Sequence, residues 1–119
     1  MIETVPLEPS AKPFLRFYHS EELREKTLSV LGAIEQSEKA TEHRDALADV
    51  VVELTNSGMD YYFMQPLKRT QPGFIVQQTA SLGLATVQRV MGSVIGKIIG
   101  HMDQTQLLSL CGSIRQLML

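Results

Sequence analysis

The stretch FIVQQTASLGLATVQRVMGSVIGKIIG, from Phe74 to Gly100, constrains this chain more than any other. It is apolar at helical spacing and free of proline, which predicts one long amphipathic helix. Val76, Ala80, Gly83, Leu84, Val87, Val90, Met91, Val94 and Ile98 fall on one face, the stripe expected to turn to a core. A second pattern runs along a different side. Gly92, Gly96 and Gly100 recur every fourth residue, and Ala85 and Ser81 extend that row of small side chains. A helical glycine costs about 0.8–1.0 kcal/mol relative to alanine, so the three together cost about 2–3 kcal/mol and call for a packing reason. Close approach of a second backbone supplies one, inside the chain or across a two-fold axis. Because the apolar stripe occupies another face, the ridge of Gly92, Gly96, Gly100 and Ala85 is expected at a subunit interface.

Breakers and caps divide the rest of the chain. The first helix is expected over about 20–36, capped at His19 or Ser20, with Glu21 and Glu22 at the positive end of its dipole. Leu23, Thr27, Val30, Leu31 and Ile34 form its narrow stripe. A second helix over about 40–65 stops before Pro66, whose ring disfavours helical backbone in the preceding residue. Its buried face is Ala46, Leu47, Val50, Val51, Leu54, Tyr61 and Met64, and Gly58 is a point where it can bend. PLKRTQPG reads as a loop with Lys68 and Arg69 at its tip. The fourth helix, about 104–118, follows the 74–100 helix after a short corner. Asp103 and Gln106 have capping-box spacing at its start, and Leu107, Leu110, Cys111, Ile114, Leu117 and Met118 form its core stripe.

No run of strand period appears. The expected fold class is therefore all-α: a compact four-helix bundle, residues 20–119, preceded by an extended N-terminal arm, residues 1–19. Pro6, Pro9 and Pro13 exclude a helix in the arm, and Ile2, Val5 and Leu7 alternate as a docking strand would. A chain of 119 residues suits one domain with a modest core.

Charge is divided unevenly. Through Asp60 the chain carries twelve acids against six Lys or Arg; from Tyr61 on, five Lys or Arg face Asp103 alone. Opposite halves attract each other within one fold or between two copies. The basic residues are too sparse for a nucleic-acid patch, and a sequence pI of about 5.9 argues against that partner. Arg89 near the middle of the long helix argues against a transmembrane span, since a central arginine costs about 2.5 kcal/mol or more on insertion. Lys97 among Val94, Ile95, Ile98 and Ile99 suits an anionic membrane surface better than a span, but this is the less favoured reading. The start lacks the basic and apolar regions of a secretory signal, and the lone Cys111 fits a reducing compartment, so a cytoplasmic location is expected.

Catalytic and cofactor signatures are absent. Asp45, Asp49, Glu53, Asn56 and Asp60 line one face of the second helix, yet no Glu-x-x-His pair accompanies them as bundle metal sites require. No metal, cofactor or catalytic residue is assigned. Tyr61, Tyr62 and Phe63 span too wide an arc to face one core, so Phe63, with Met59, is expected to add to the interface. Tyr61, Tyr62 and Phe63 are expected to cluster with Phe14, Phe17 and Tyr18 under the arm, either as core or, through Phe17, Tyr18, Tyr61 and Tyr62, as the lining of a pocket for a small apolar ligand. The sequence thus points to a non-catalytic interaction, adaptor or regulatory protein acting as a homodimer, with an unidentified protein as a further partner. The alternatives are a ligand-binding bundle and an enzyme with a site shared across the dimer.

Overall fold

The computed structural model describes Pro13 and residues 16–118. Of the expected arm, residues 1–12, 14 and 15 lie outside the described residues. Residues 16–20 run without regular structure to Ser20, whose Oγ accepts from the Leu23 N–H at 3.0 Å and starts α1, Glu21–Gln36. A 3₁₀ turn, Ala40–His43, leads into α2, Arg44–Met59. A π-helical turn, Asp60–Met64, and a short α3, Gln65–Arg69, continue it. Then come α4, Phe74–Gly100, and α5, Gln104–Leu117. The fold is an all-α bundle of four helices, with α3 prolonging α2.

The second helix does not stop before Pro66, as its sequence suggests. The Gln65 N–H bonds to the Asp60 carbonyl, one residue further back than in an α-helix. This wider turn gives the Pro66 ring room that a regular α-turn denies it. Pro66 then sits at the start of α3, where a missing N–H costs little. Lys68 and Arg69 accordingly lie in the last turn of a helix rather than at a loop tip. Chain reversal comes just afterwards, at Gln71, which adopts a left-handed φ of 53°, followed by Pro72.

Leu31 and Ile34 of α1, Leu47 of α2, Ile99 of α4 and Leu107 and Cys111 of α5 close the core, with Ala40 at one end. Thr27 is also fully buried, and its hydroxyl is satisfied by donating to the Leu23 carbonyl at 2.7 Å. Each of α1, α2 and α5 buries residues from its expected stripe. The long helix departs from expectation. Ile99 alone is buried, residues 74–79 are exposed throughout, and most of the apolar stripe faces away from the core.

Polar bonds fix the α4–α5 corner. The Arg44 guanidinium donates from Nε to the Met102 carbonyl at 3.0 Å and again from its terminal nitrogen. The Ala40 N–H reaches Gln104 Oε1 at 3.3 Å. At the start of α5 the expected capping box is present: the Gln106 N–H donates to Asp103 Oδ1 at 2.8 Å and the Asp103 N–H to Gln106 Oε1 at 2.9 Å. Losing such a cap costs about 1 kcal/mol. Asp103→Ala should therefore lower unfolding stability by about 1 kcal/mol in urea titration, with the denaturant slope unchanged.

Candidate interaction surfaces

The two faces of α4 have different surroundings. Gly92 and Gly96 look toward α2, antiparallel beside them, and border a groove of about 650 Å³ walled by Asp45, Ala48, Asp49 and Val52. A Cβ on Gly92 would meet Val52 Cγ2 at 4.0 Å, while one on Gly96 or Gly100 would meet nothing within that distance. The ridge is thus partly taken up inside the chain, with Gly100 and Ala85 exposed beyond it. Of the two further residues expected at an interface, Met59 is half-buried and Phe63 exposed.

The apolar stripe lies roughly 150° around the helix from that contact, at 100° per residue. Val76, Val87, Val90, Val94 and Ile98 keep 52, 45, 57, 49 and 55% of their surface in water. Leu84 and Met91 flank them, half-buried. Monomeric proteins rarely leave so continuous an apolar strip in solvent, and among the described residues nothing covers it. Sequence reasoning assigned these residues to the core. The signal for the other reading was the even 4-3-4-3-4 spacing of Val76, Ala80, Gly83, Val87, Val90 and Val94. That spacing averages 3.5 residues, the period that keeps a seam against one partner helix. By length and composition α4 would also suffice to cross a membrane, with a mean hydropathy of 1.3.

The aromatic residues meet as a group. Phe17 lies 6.4 Å from Tyr61 and 6.0 Å from Tyr62, Tyr18 lies 6.1 Å from Tyr61, and Tyr61 packs edge-on to Tyr62 at 5.3 Å. These are favourable edge-to-face or tilted distances. The π turn lets both tyrosines reach Phe17, whose ring also passes 3.5 Å from the Cβ position of Gly58. Beside the cluster is a hollow of about 560 Å³, lined by Phe17, Tyr18, Leu54, Thr55 and Ile114 among others; Tyr61 and Tyr62 are not in its wall.

Charged groups pair at the edges of the bundle. Lys26 of α1 binds Glu53 of α2, and this bond raises the lysine's pKa. Arg115 of α5 grips Glu35 of α1 with two N–H groups at 2.6 and 3.3 Å, which raises the guanidinium's pKa. Both pairs are partly solvent-exposed and contribute modestly. Among the described residues no group of three or more His, Cys, Asp or Glu is disposed to hold a metal ion. Cys111 is fully buried, and desolvation pushes its thiol pKa up, with the Glu35 charge adding to the effect.

Two outcomes follow from this geometry. At pH 8 Cys111 should react with a thiol reagent only as fast as the chain unfolds, and immediately in denaturant. Because the unfolded thiol releases its proton first, its contribution to stability should hold below about pH 8.5 and fall above it. Gly96→Ala meets open space, so it should stabilise the fold by about 0.8–1.0 kcal/mol without changing the assembly state in light scattering. Loss of assembly in that variant would return the ridge to a subunit interface. Comparison with protein-family models, with curated proteins and with solved structures finds no match.

Proposed function

We propose that this chain is a non-catalytic interaction protein of the cytoplasm that works as a homodimer, joined through the outward apolar stripe of α4. The observation that carries the reading is the half-exposed row of Val76, Val87, Val90, Val94 and Ile98. A helix of 27 residues is about 40 Å long, and a strip about 10 Å wide along it offers about 400 Å² per copy. Covering both strips removes about 800 Å² of largely apolar surface, worth about 20 kcal/mol at 25 cal/mol per Å². Association opposes this with roughly 4–15 kcal/mol of lost freedom, which leaves room for a micromolar dimer, about 8 kcal/mol. The side chains beside the strip would bring the area toward the 1,000 Å² or so that lasting interfaces need.

Lipid is a less suitable cover. Arg89 and Lys97 belong to the same helix, and one of its flanks rests on α2 beside Asp45 and Asp49. A spanning helix would have to take those charges into hydrocarbon or leave the bundle. The hollow beside Phe17 and Tyr18 supports a second reading, a site for a small apolar ligand.

Native mass spectrometry separates the two. The dimer reading expects twice the chain mass at micromolar concentration with nothing added, and Val90→Asp should shift it to monomer while leaving the helical circular dichroism unchanged. A wild-type monomer carrying an extra few hundred daltons would overturn it in favour of the ligand reading.

A further inference from the structure

We propose that the two copies pair through α4 in an antiparallel arrangement, about a two-fold axis that crosses the helices level with Ala85. The proposal rests on the self-association reading above and adds its register. The seam consists of Val76, Ala80, Gly83, Val87, Val90 and Val94, spaced as one helix requires to stay against another. It ends where Lys97 takes the next seam position.

Side-chain size decides the direction. In a parallel pair each seam residue meets its own copy, so Gly83 would face Gly83 and Ala80 would face Ala80. Two thin layers would follow one another, and helices held apart by the valine layers would leave them unfilled. Reversing one helix about the level of Ala85 pairs Val76 with Val94, Ala80 with Val90 and Gly83 with Val87. Each small residue then meets a valine, and the inner layers come out nearly equal in volume.

Charge points the same way. Lys97 lies at the edge of the seam, about 60° from its centre at 100° per residue, and α4 contains no acid to answer it. Parallel pairing would set the two Lys97 side chains across an interaxial gap of about 8–10 Å. Antiparallel pairing places them twice twelve residues apart along the axis, about 36 Å. That is several times the screening length of about 10 Å at 0.1 M salt. Arg89 is turned away from the seam in either case, and Thr79, Thr86 and Ser93 give it an uncharged edge. Because the seam is turned roughly 150° from the α2 contact, the two bundles sit on opposite sides of the helix pair.

A charge exchange across one layer tests the register. Dimer affinity would be measured by analytical ultracentrifugation for wild type, Ala80→Lys, Val90→Glu and the variant carrying both, with circular dichroism confirming the fold of each. Both positions belong to the outward face, so the helices should be retained. Val90→Glu alone should weaken the dimer about 100-fold or more, as an unpaired charge in a closed seam does. The double variant should recover to within about tenfold of wild type, because each new carboxylate lies against a new lysine of the other copy. In a parallel pair the same substitutions set like charges together, and the double variant would be weaker than either single one. Disulfide trapping gives an independent readout. A mixture of Gly83→Cys and Val87→Cys chains should cross-link to mixed dimers, whereas rapid Val87→Cys self-linking would overturn the antiparallel register. If Val90→Glu leaves a tight wild-type-like dimer, the α4 face is not the contact and both readings fall. If it yields monomer and the double variant does not recover, the antiparallel register alone fails.

Discussion

The contact of α4 with α2 across Gly92 is the constraint on which the remaining arrangement depends. Val52 lies against Gly92, its Cγ2 4.0 Å from where a Cβ would stand, so the two helices are in ordinary van der Waals contact along that line. Close approach at one flank fixes the rotation of α4 about its own axis. Once that rotation is set, Ile99 is directed into the core with Leu47, Leu107 and Cys111. The same rotation carries Val90 and Val94 outward. The buried end and the exposed stripe are therefore two consequences of one packing choice.

The two ends of α4 are held differently. Its exit is tied down by polar bonds, with Arg44 on the Met102 carbonyl and the Asp103 capping box immediately beyond. A cation beside carbonyls at the end of a helix is favoured by the dipole, and the cap satisfies the donors that open α5. Its entry has no equivalent: residues 74–79 are exposed, and Gly73 makes no side-chain cap. The helix is thus anchored at its C-terminal third and rests on α2 along one flank. Burial of Ile99 and the corner bonds keep it in place, while its N-terminal part gains little from the described residues.

Much of the fold was legible because its signals are local. Ser20 before Glu21 and Glu22, and Asp103 before Gln106, mark helix starts through bonds spanning three residues, and α1 and α5 begin there, while α4 begins directly after the breakers Pro72 and Gly73. The end of α2 was not legible. The clash before Pro66 is also local, yet Gln65 keeps helical backbone there, and nothing in Tyr61, Tyr62 and Phe63 announces the π turn. The aromatic cluster was anticipated from residue type, since Phe17, Tyr18, Tyr61 and Tyr62 do meet. Its adjoining hollow has a different wall, set by where Leu54 and Ile114 fall in three dimensions.

The faces of α4 show why periodicity alone could not decide the site. An apolar stripe says that a surface is costly to leave in water, and says nothing about which chain will cover it. A row of glycines is equally silent, because a neighbouring backbone can belong to the same molecule or another. What distinguishes the two faces is the supply of partners. α1, α2 and α5 each offer a narrow stripe, and those stripes are already closed over Leu31, Ile34, Leu47, Leu107 and Cys111. No apolar face remains in the described bundle to cover a strip as long as that on α4. A core of this size can bury one flank of such a helix, and the flank of Gly92 and Ile99 is the one that α2 and the core cover. The valine flank is left without a cover among the described residues, and under the proposed pairing a second copy supplies one, with small and large side chains in the order that a reversed helix can fill.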